Sequence, residues 1–166
     1  RWFPGSLISW TEHLLPVYDD RTTRIISIIE GRDEPAVYTG SDLFLAVTRC
    51  TAWLRSRGVR SGDRVAGVLP NTAEAIVAML ATAALGAIWS SASPDFGVTG
   101  LVDRFEQISP KVLFVTRSYR YNGKTFDCRE TVQGILSKLP SVAAVMMIDP
   151  LQEGDIPSAY DAWDAS

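Results

Sequence analysis

Apolar positions follow two rhythms along this chain. Ile25-Ile26-Ser27-Ile28-Ile29 is a β-branched run bounded by charge and predicts a strand. Ala36-Val37-Tyr38-Thr39 gives it a hairpin partner across Gly31-Arg32-Asp33-Glu34. The spacing then changes: Leu43, Val47, Cys50 and Leu54 recur at helical intervals behind Ser41, a suitable N-cap, and Gly58 offers a left-handed stop. Arg64 to Leu69 is apolar enough to be a strand buried on both faces. After Pro70, Asn71 with Glu74 three residues on predicts a capping-box start to a helix over 72–85. That helix is apolar nearly all round and is expected to be buried.

The alternation continues beyond Gly86. Ala87-Ile88-Trp89 is a short strand candidate, and a loop from Ser90 to Gly97 leads to a helix with Leu101, Phe105 and Ile108 on one stripe. Lys111 to Thr116 predicts a buried strand, and Tyr119 to Thr125 a turn or hairpin tip. A helix from about Arg129 to Leu139 precedes another buried strand, Val142 to Ile148. The first thirty residues carry Trp2, Phe3, Trp10 and Tyr18 without periodicity, with a short helix over Trp10 to Leu15 expected to lie across a core. Strands alternating with helices imply an α/β fold: three layers, a mainly parallel sheet of about five strands, and helices on both faces. Three regions follow: 1–34 as an irregular or helical segment with the first strand, 35–150 as the α/β unit, and 151–166 as a polar linker.

Composition narrows the classes. With 166 residues, 46% of them hydrophobic, one core can form, and the net charge of −3 is not that of a disordered chain. The sixteen Lys and Arg are scattered, which gives no nucleic-acid footprint. No run of about eighteen apolar residues is present, so no membrane partner is expected and a soluble, cytoplasmic setting is the default. Cys50 and Cys128 match no metal-ligand spacing. Cys50 reads as a buried free thiol, with a disulfide as the alternative. The chain opens on Arg1 rather than Met, and is expected to be a piece of a longer protein.

Catalytic constellations are scarce. The single histidine, His13, has no matching Ser or Cys partner, and a satisfied or solvent-facing ring is expected. No Walker-type loop is present, and the first βα junction, Val65 to Thr72, puts Pro70 where a dinucleotide site needs glycine. Two loops stand out. Trp89-Ser90-Ser91-Ala92-Ser93-Pro94-Asp95-Phe96-Gly97 lies at the carboxyl end of a strand, where open α/β sheets bind ligands. Its plain alternative is a turn in which Ser93 or Asp95 starts the next helix. Arg117-Ser118-Tyr119-Arg120-Tyr121-Asn122-Gly123-Lys124 interleaves basic residues with tyrosines, a composition suited to a phosphate and a stacked base. Its plain alternative is an exposed turn, because Asn-Gly favours type I′.

The turn Gly58-Val59-Arg60-Ser61-Gly62-Asp63-Arg64-Val65 and the helix Glu74 to Ala81 resemble acyl- and aryl-CoA synthetases, the adenylate-forming CoA ligases. Gly86 to Gly97, Asp103-Arg104-Phe105 and Gln107 to Phe114 sharpen the likeness toward the members that act on acetoacetate. The likeness runs from Trp2 to about Asp149. It implies membership of a larger adenylate-forming domain and a two-step reaction of acetoacetate, ATP with Mg2+, and CoA through an acyl-adenylate. It leaves acetate, propionate or a hydroxylated acid as alternatives; a non-catalytic α/β binding module is a reading of a different class. Related enzymes bind CoA with an R-G-G-R stretch, on which Tyr121-Asn122-Gly123-Lys124 aligns. Lys124 falls on its second arginine, while Tyr121 replaces the first and Arg120 stands one residue earlier. The resemblance therefore makes Arg120, Tyr121, Asn122, Gly123 and Lys124 the candidate CoA contacts, with no catalytic residue and no metal ligand in this stretch. The family's phosphate loop, its aspartate motif for the ATP ribose, its hinge and the lysine of its mobile carboxyl-terminal domain do not occur here. The chain alone is expected to be inactive, with the remainder of its own polypeptide as partner.

Overall fold

A computed structural model describes residues 4–5, 8–15, 20–151, 158 and 160–163. Trp2, Phe3 and Tyr18 lie outside the described residues. Helix α1 (Trp10–Leu14) comes first, then the hairpin of β1 (Thr23–Ser27) and β2 (Ala36–Thr39). Next are α2 (Gly40–Ser56), β3 (Arg64–Val68), α3 (Ala73–Ala84) and β4 (Ile88–Ala92). A single 3-10 turn (Pro94–Phe96) leads into α4 (Gly97–Phe105) and β5 (Val112–Thr116). A second hairpin of β6 (Ser118–Tyr121) and β7 (Lys124–Asp127), helix α5 (Arg129–Leu136), β8 (Ala144–Ile148) and β9 (Asp161–Ala162) complete the order.

Among the described residues the main sheet has five parallel strands in the order β4-β3-β5-β8-β9. Strand side chains alternate between faces, and the core divides accordingly. Val65, Val112, Phe114, Met146 and Ile148 face α2 and α3. Ala66, Val68, Leu113, Val115 and Met147 face α4 and α5. Both faces are covered by helices, as the run of apolar residues in each strand requires. The expected three-layer α/β fold is what forms. Helix α1 lies outside it on α3, with the Thr11 hydroxyl reaching the Leu80 carbonyl at 3.4 Å.

Several local expectations change. Helix α2 is capped by Thr39, not Ser41: the Thr39 hydroxyl accepts the Asp42 N–H, and the Asp42 carboxylate accepts the Thr39 N–H at 2.9 Å. Ser41 instead donates its hydroxyl to the Asp20 carbonyl. Asn71 does not cap α3; its N-cap is Thr72, without a side-chain bond. The Ser27 hydroxyl of β1 accepts the Ala73 N–H at 3.3 Å, so a long-range contact replaces the local box. Ser90 to Ala92 belong to β4 rather than to a loop, and α4 stops at Phe105, short of Ile108. Hydrophobic patterning did not single out β9, whose two residues pair with Met146 and Met147.

Cys50 packs in the α2–α3 core and Cys128 in the α4–α5 core, on opposite faces of the sheet. They are free thiols, and a disulfide between them is ruled out. Burial pushes the Cys50 thiol up to about 12 and the Cys128 thiol up to about 11. Neither is a nucleophile in the fold. His13 is exposed, with Nδ1 3.1 Å from the Ser9 carbonyl, as a satisfied surface ring should be. The outward face of the first hairpin carries Ile26, Ile28 and Val37, all well exposed.

Candidate functional site

The sheet's two edges have different jobs. At the amino edge, Gly62 (φ +84°) turns the chain and its N–H meets the Gly86 carbonyl at 2.9 Å. The Asp63 carboxylate accepts the Arg60 N–H at 2.9 Å and pairs with Lys111 at 3.0 Å. The Lys111 hydrogen bond, with the Arg60 N–H behind it, holds the Asp63 carboxyl below the usual carboxylate range. Arg64 donates Nε to the Ile108 carbonyl at 2.7 Å and so secures the turn after α4. The Gly62-Asp63-Arg64-Val65 motif is thus a fastening between β3, β5 and α4. It does not touch the edge where a ligand would sit.

At the carboxyl edge the topology opens a crevice. The helix after β3 goes to one face of the sheet, while the connection after β5 goes to the other. Ligands of open α/β sheets bind at such a switch point, beyond the strands' carboxyl ends. The β6–β7 hairpin rises here. The Arg117 N–H bonds the Ile148 carbonyl at 2.8 Å, and the Cys128 N–H returns to the Arg117 carbonyl at 2.9 Å, closing the hairpin's root. The Thr116 hydroxyl donates to the Ser118 carbonyl at 2.8 Å. Arg117 and Asp149, both largely buried, pair at 3.5 Å across the ends of β5 and β8.

The predicted turn forms as composition dictates. Asn122 (φ +50°) and Gly123 (φ +74°) both take the left-handed conformation that a type I′ turn demands. Facing pairs are Tyr119 with Phe126, Arg120 with Thr125, and Tyr121 with Lys124. Successive pairs alternate between the ribbon's two sides. Tyr121 and Lys124 therefore share a side with Tyr119 and Phe126, whose rings stack at 5.1 Å. Arg120 lies on the other side, its Nε 3.4 Å from the Thr125 hydroxyl. The five residues singled out from sequence are one turn, but the fold divides its two cations between opposite sides. Tyr121 is 69% exposed, Lys124 is exposed, and Lys124 makes no ion pair among the described residues. A cation beside exposed aromatic faces can hold a phosphate and stack a base.

The other loop picked out from sequence is at the sheet's far edge. Neither Ser93 nor Asp95 makes a side-chain capping bond to the next helix. Phe96 is exposed under the Arg104 guanidinium, 5.2 Å from the ring centre. A cavity of about 520 Å³ opens elsewhere, between Tyr38, Arg49, Trp53 and Trp163, and no residue of either loop lines it. One participant at the hairpin was not legible in sequence. Glu30 bonds the turn's two backbone N–H groups from the first hairpin, a separation of 92 and 93 residues. No local pattern could point to it.

Comparison with known proteins gives these elements their context. The family model described as "AMP-binding enzyme" matches residues 18–164. The chain is 44% identical to acetoacetyl-CoA synthetase of Rattus norvegicus over 147 residues, which is 89% of this chain and 22% of that protein. It is 39% identical to malonamoyl-CoA synthetase of Penicillium aethiopicum over 165 residues, covering 95% of this chain and 23% of that one. The solved acetoacetyl-CoA synthetase from Streptomyces lividans superposes with a TM-score of 0.89 and 41% identity, over 98% of this chain and 25% of that chain. The chain thus spans about a quarter or less of the relatives it matches. A shared model over nearly the whole length, relatives above 40% identity and one common backbone agree: the chain belongs to the AMP-binding enzyme family.

Proposed function

We propose that this chain is part of the large amino-terminal domain of an acid–thiol ligase that makes acetoacetyl-CoA from acetoacetate, ATP and CoA. The observation that supports it most is the likeness to acetoacetyl-CoA synthetases along almost the whole chain, at identities above 40%. In such a ligase the carboxylate oxygen bonds to the α-phosphorus of ATP and pyrophosphate leaves. The CoA sulfur then bonds to the acyl carbon and AMP leaves. The mixed anhydride supplies the driving force that a resonance-stabilised carboxylate lacks. Mg2+ accompanies the ATP, and both are handled by segments beyond this chain, so the chain alone is not expected to adenylate.

The part of the work that falls to these residues is the CoA half. Lys124 contacts a phosphate of CoA, and Tyr121 packs against its adenine end. Arg120, on the far side of the ribbon, supports the turn instead of touching CoA. Asn122 and Gly123 supply the backbone geometry. In the full-length polypeptide, Lys124→Ala is expected to raise the KM for CoA about tenfold, a loss of ~1.4 kcal/mol from one charged hydrogen bond. Acetoacetate-dependent ATP–pyrophosphate exchange, which needs no CoA, is expected to keep its rate. A parallel fall in exchange would remove the assignment to CoA.

The likeness to a malonamoyl-CoA synthetase favours a second reading of the acid. Malonamate and acetoacetate both carry a carbonyl two carbons from the carboxylate, so the substrate class is a short acid with that group. Acetate and propionate lack it and serve as comparisons. Among the described residues no helix is long and apolar enough to cross a membrane. A cytoplasmic enzyme is the setting proposed.

A further inference from the structure

The carboxyl-edge hairpin is held from outside. Glu30 sits in the turn between β1 and β2, and its carboxylate spans both free amides of the distant Asn-Gly turn. Oε2 accepts the Asn122 N–H at 3.0 Å and Oε1 accepts the Gly123 N–H at 2.6 Å. In a two-residue hairpin turn these N–H groups point away from the ladder, so nothing inside the hairpin can satisfy them. One ionised carboxylate with two oxygens matches two adjacent donors, and bonds to a charged acceptor are stronger than neutral ones.

A second contact comes from the next residue. Gly31 takes φ +93°, a conformation open to glycine, and its bare Cα lets the turn press against Arg120. A Cβ there would lie 2.6 Å from Arg120 Nη1 and 2.8 Å from its Cδ. Glu30 and Gly31 therefore clasp the hairpin at its tip and along its Arg120 side. The opposite side, with Tyr121 and Lys124, is left open. The clasp also occupies the Asn122 and Gly123 amides, the turn donors that face away from the ladder, so a phosphate arriving there meets Lys124 and not those amides.

We infer that Glu30 is a positioning residue for CoA: it locks the Asn122-Gly123 turn so that the Tyr121–Lys124 rung is presented in one arrangement. This rests on the reading of the hairpin as the CoA contact. An isolated ribbon of four-residue strands is marginal in water, and an unlocked tip would present Lys124 in many positions. Ordering it on binding would then weaken affinity.

The test uses the full-length polypeptide with Glu30→Ala, Glu30→Gln and Lys124→Ala. Hydrogen exchange at the Asn122 and Gly123 amides is expected to speed up about tenfold in Glu30→Ala, with β5 and β8 amides unchanged. The KM for CoA is expected to rise about three- to tenfold, while ATP–pyrophosphate exchange keeps the parent rate. Glu30→Gln keeps an acceptor oxygen without the charge and is expected to fall between. If only Lys124→Ala raises the KM for CoA, the hairpin reading stands and the positioning role is overturned. If neither variant raises it, the hairpin is not the CoA contact and both readings fall. Equal losses in exchange and in CoA use for Glu30→Ala would show a merely structural contact, which also overturns the proposal.

Discussion

Phe114→Ala is expected to destabilise the chain by about 3–5 kcal/mol, the range for removing a fully buried aromatic ring. Phe114 stands at the middle of β5, the central strand of the sheet, and is wholly inaccessible. Three tryptophans meet its ring edge-on: Trp53 at 5.6 Å, Trp89 at 5.9 Å and Trp163 at 6.4 Å. Each has a different place, respectively in α2, in β4 and directly after β9. Truncation removes the ring's transfer energy and leaves a void that three rigid indoles cannot close. Because tryptophans surround the site, their fluorescence reports it directly. The urea midpoint should fall, and Phe114→Leu, which keeps much of the volume, should lose less. A Phe114→Ala midpoint equal to the parent's would mean that the aromatic cluster does not secure the sheet.

Gly67→Ala carries the second largest expected effect, about 1–3 kcal/mol from overpacking. Gly67 is buried in β3 with ordinary extended backbone, so the cost is purely one of space. An added Cβ would lie 2.6 Å from Cη2 and 2.8 Å from Cζ2 of the Trp89 indole. That ring leans across the missing side chain to reach Phe114. Displacing it breaks the contact that Phe114→Ala also removes. The two substitutions should therefore be non-additive, with the double variant less destabilised than the sum. Strict additivity in the urea midpoints would show that Trp89 does not link the two sites.

Strand β5 links the two edges: it follows Lys111 at the fastened amino edge and leads into the hairpin at the carboxyl edge. Much of this was legible in sequence because it is local. Buried strands announce themselves as unbroken apolar runs, and Asn122-Gly123 fixes its turn type by backbone preference alone. Misreadings arose where a distant residue took over a local job. Ser27 satisfies the start of α3 in place of Asn71, and Ser41, already inside α2, gives its hydroxyl to the distant Asp20 carbonyl while Thr39 caps the helix. Glu30 was invisible for the same reason, since its partners are 92 and 93 residues away. The sidedness of Arg120 and Lys124 needed the register of the ribbon, which a basic, tyrosine-rich composition does not contain. The family signature at Gly62 to Val65 was plain in sequence, yet its work is structural and at the wrong edge for a ligand.

Acetoacetate-dependent ATP–pyrophosphate exchange by the full-length polypeptide, with acetate and propionate as comparisons, tests the account at its centre. The expected result is exchange with acetoacetate well above that with either simple acid, and none from residues 1–166 alone. Exchange with malonamate as well would fix the substrate class as short acids with a carbonyl two carbons from the carboxylate. Equal exchange with all the acids would contradict that specificity. No exchange with any acid, from a folded full-length protein, would contradict the ligase reading itself and leave an α/β binding module in its place.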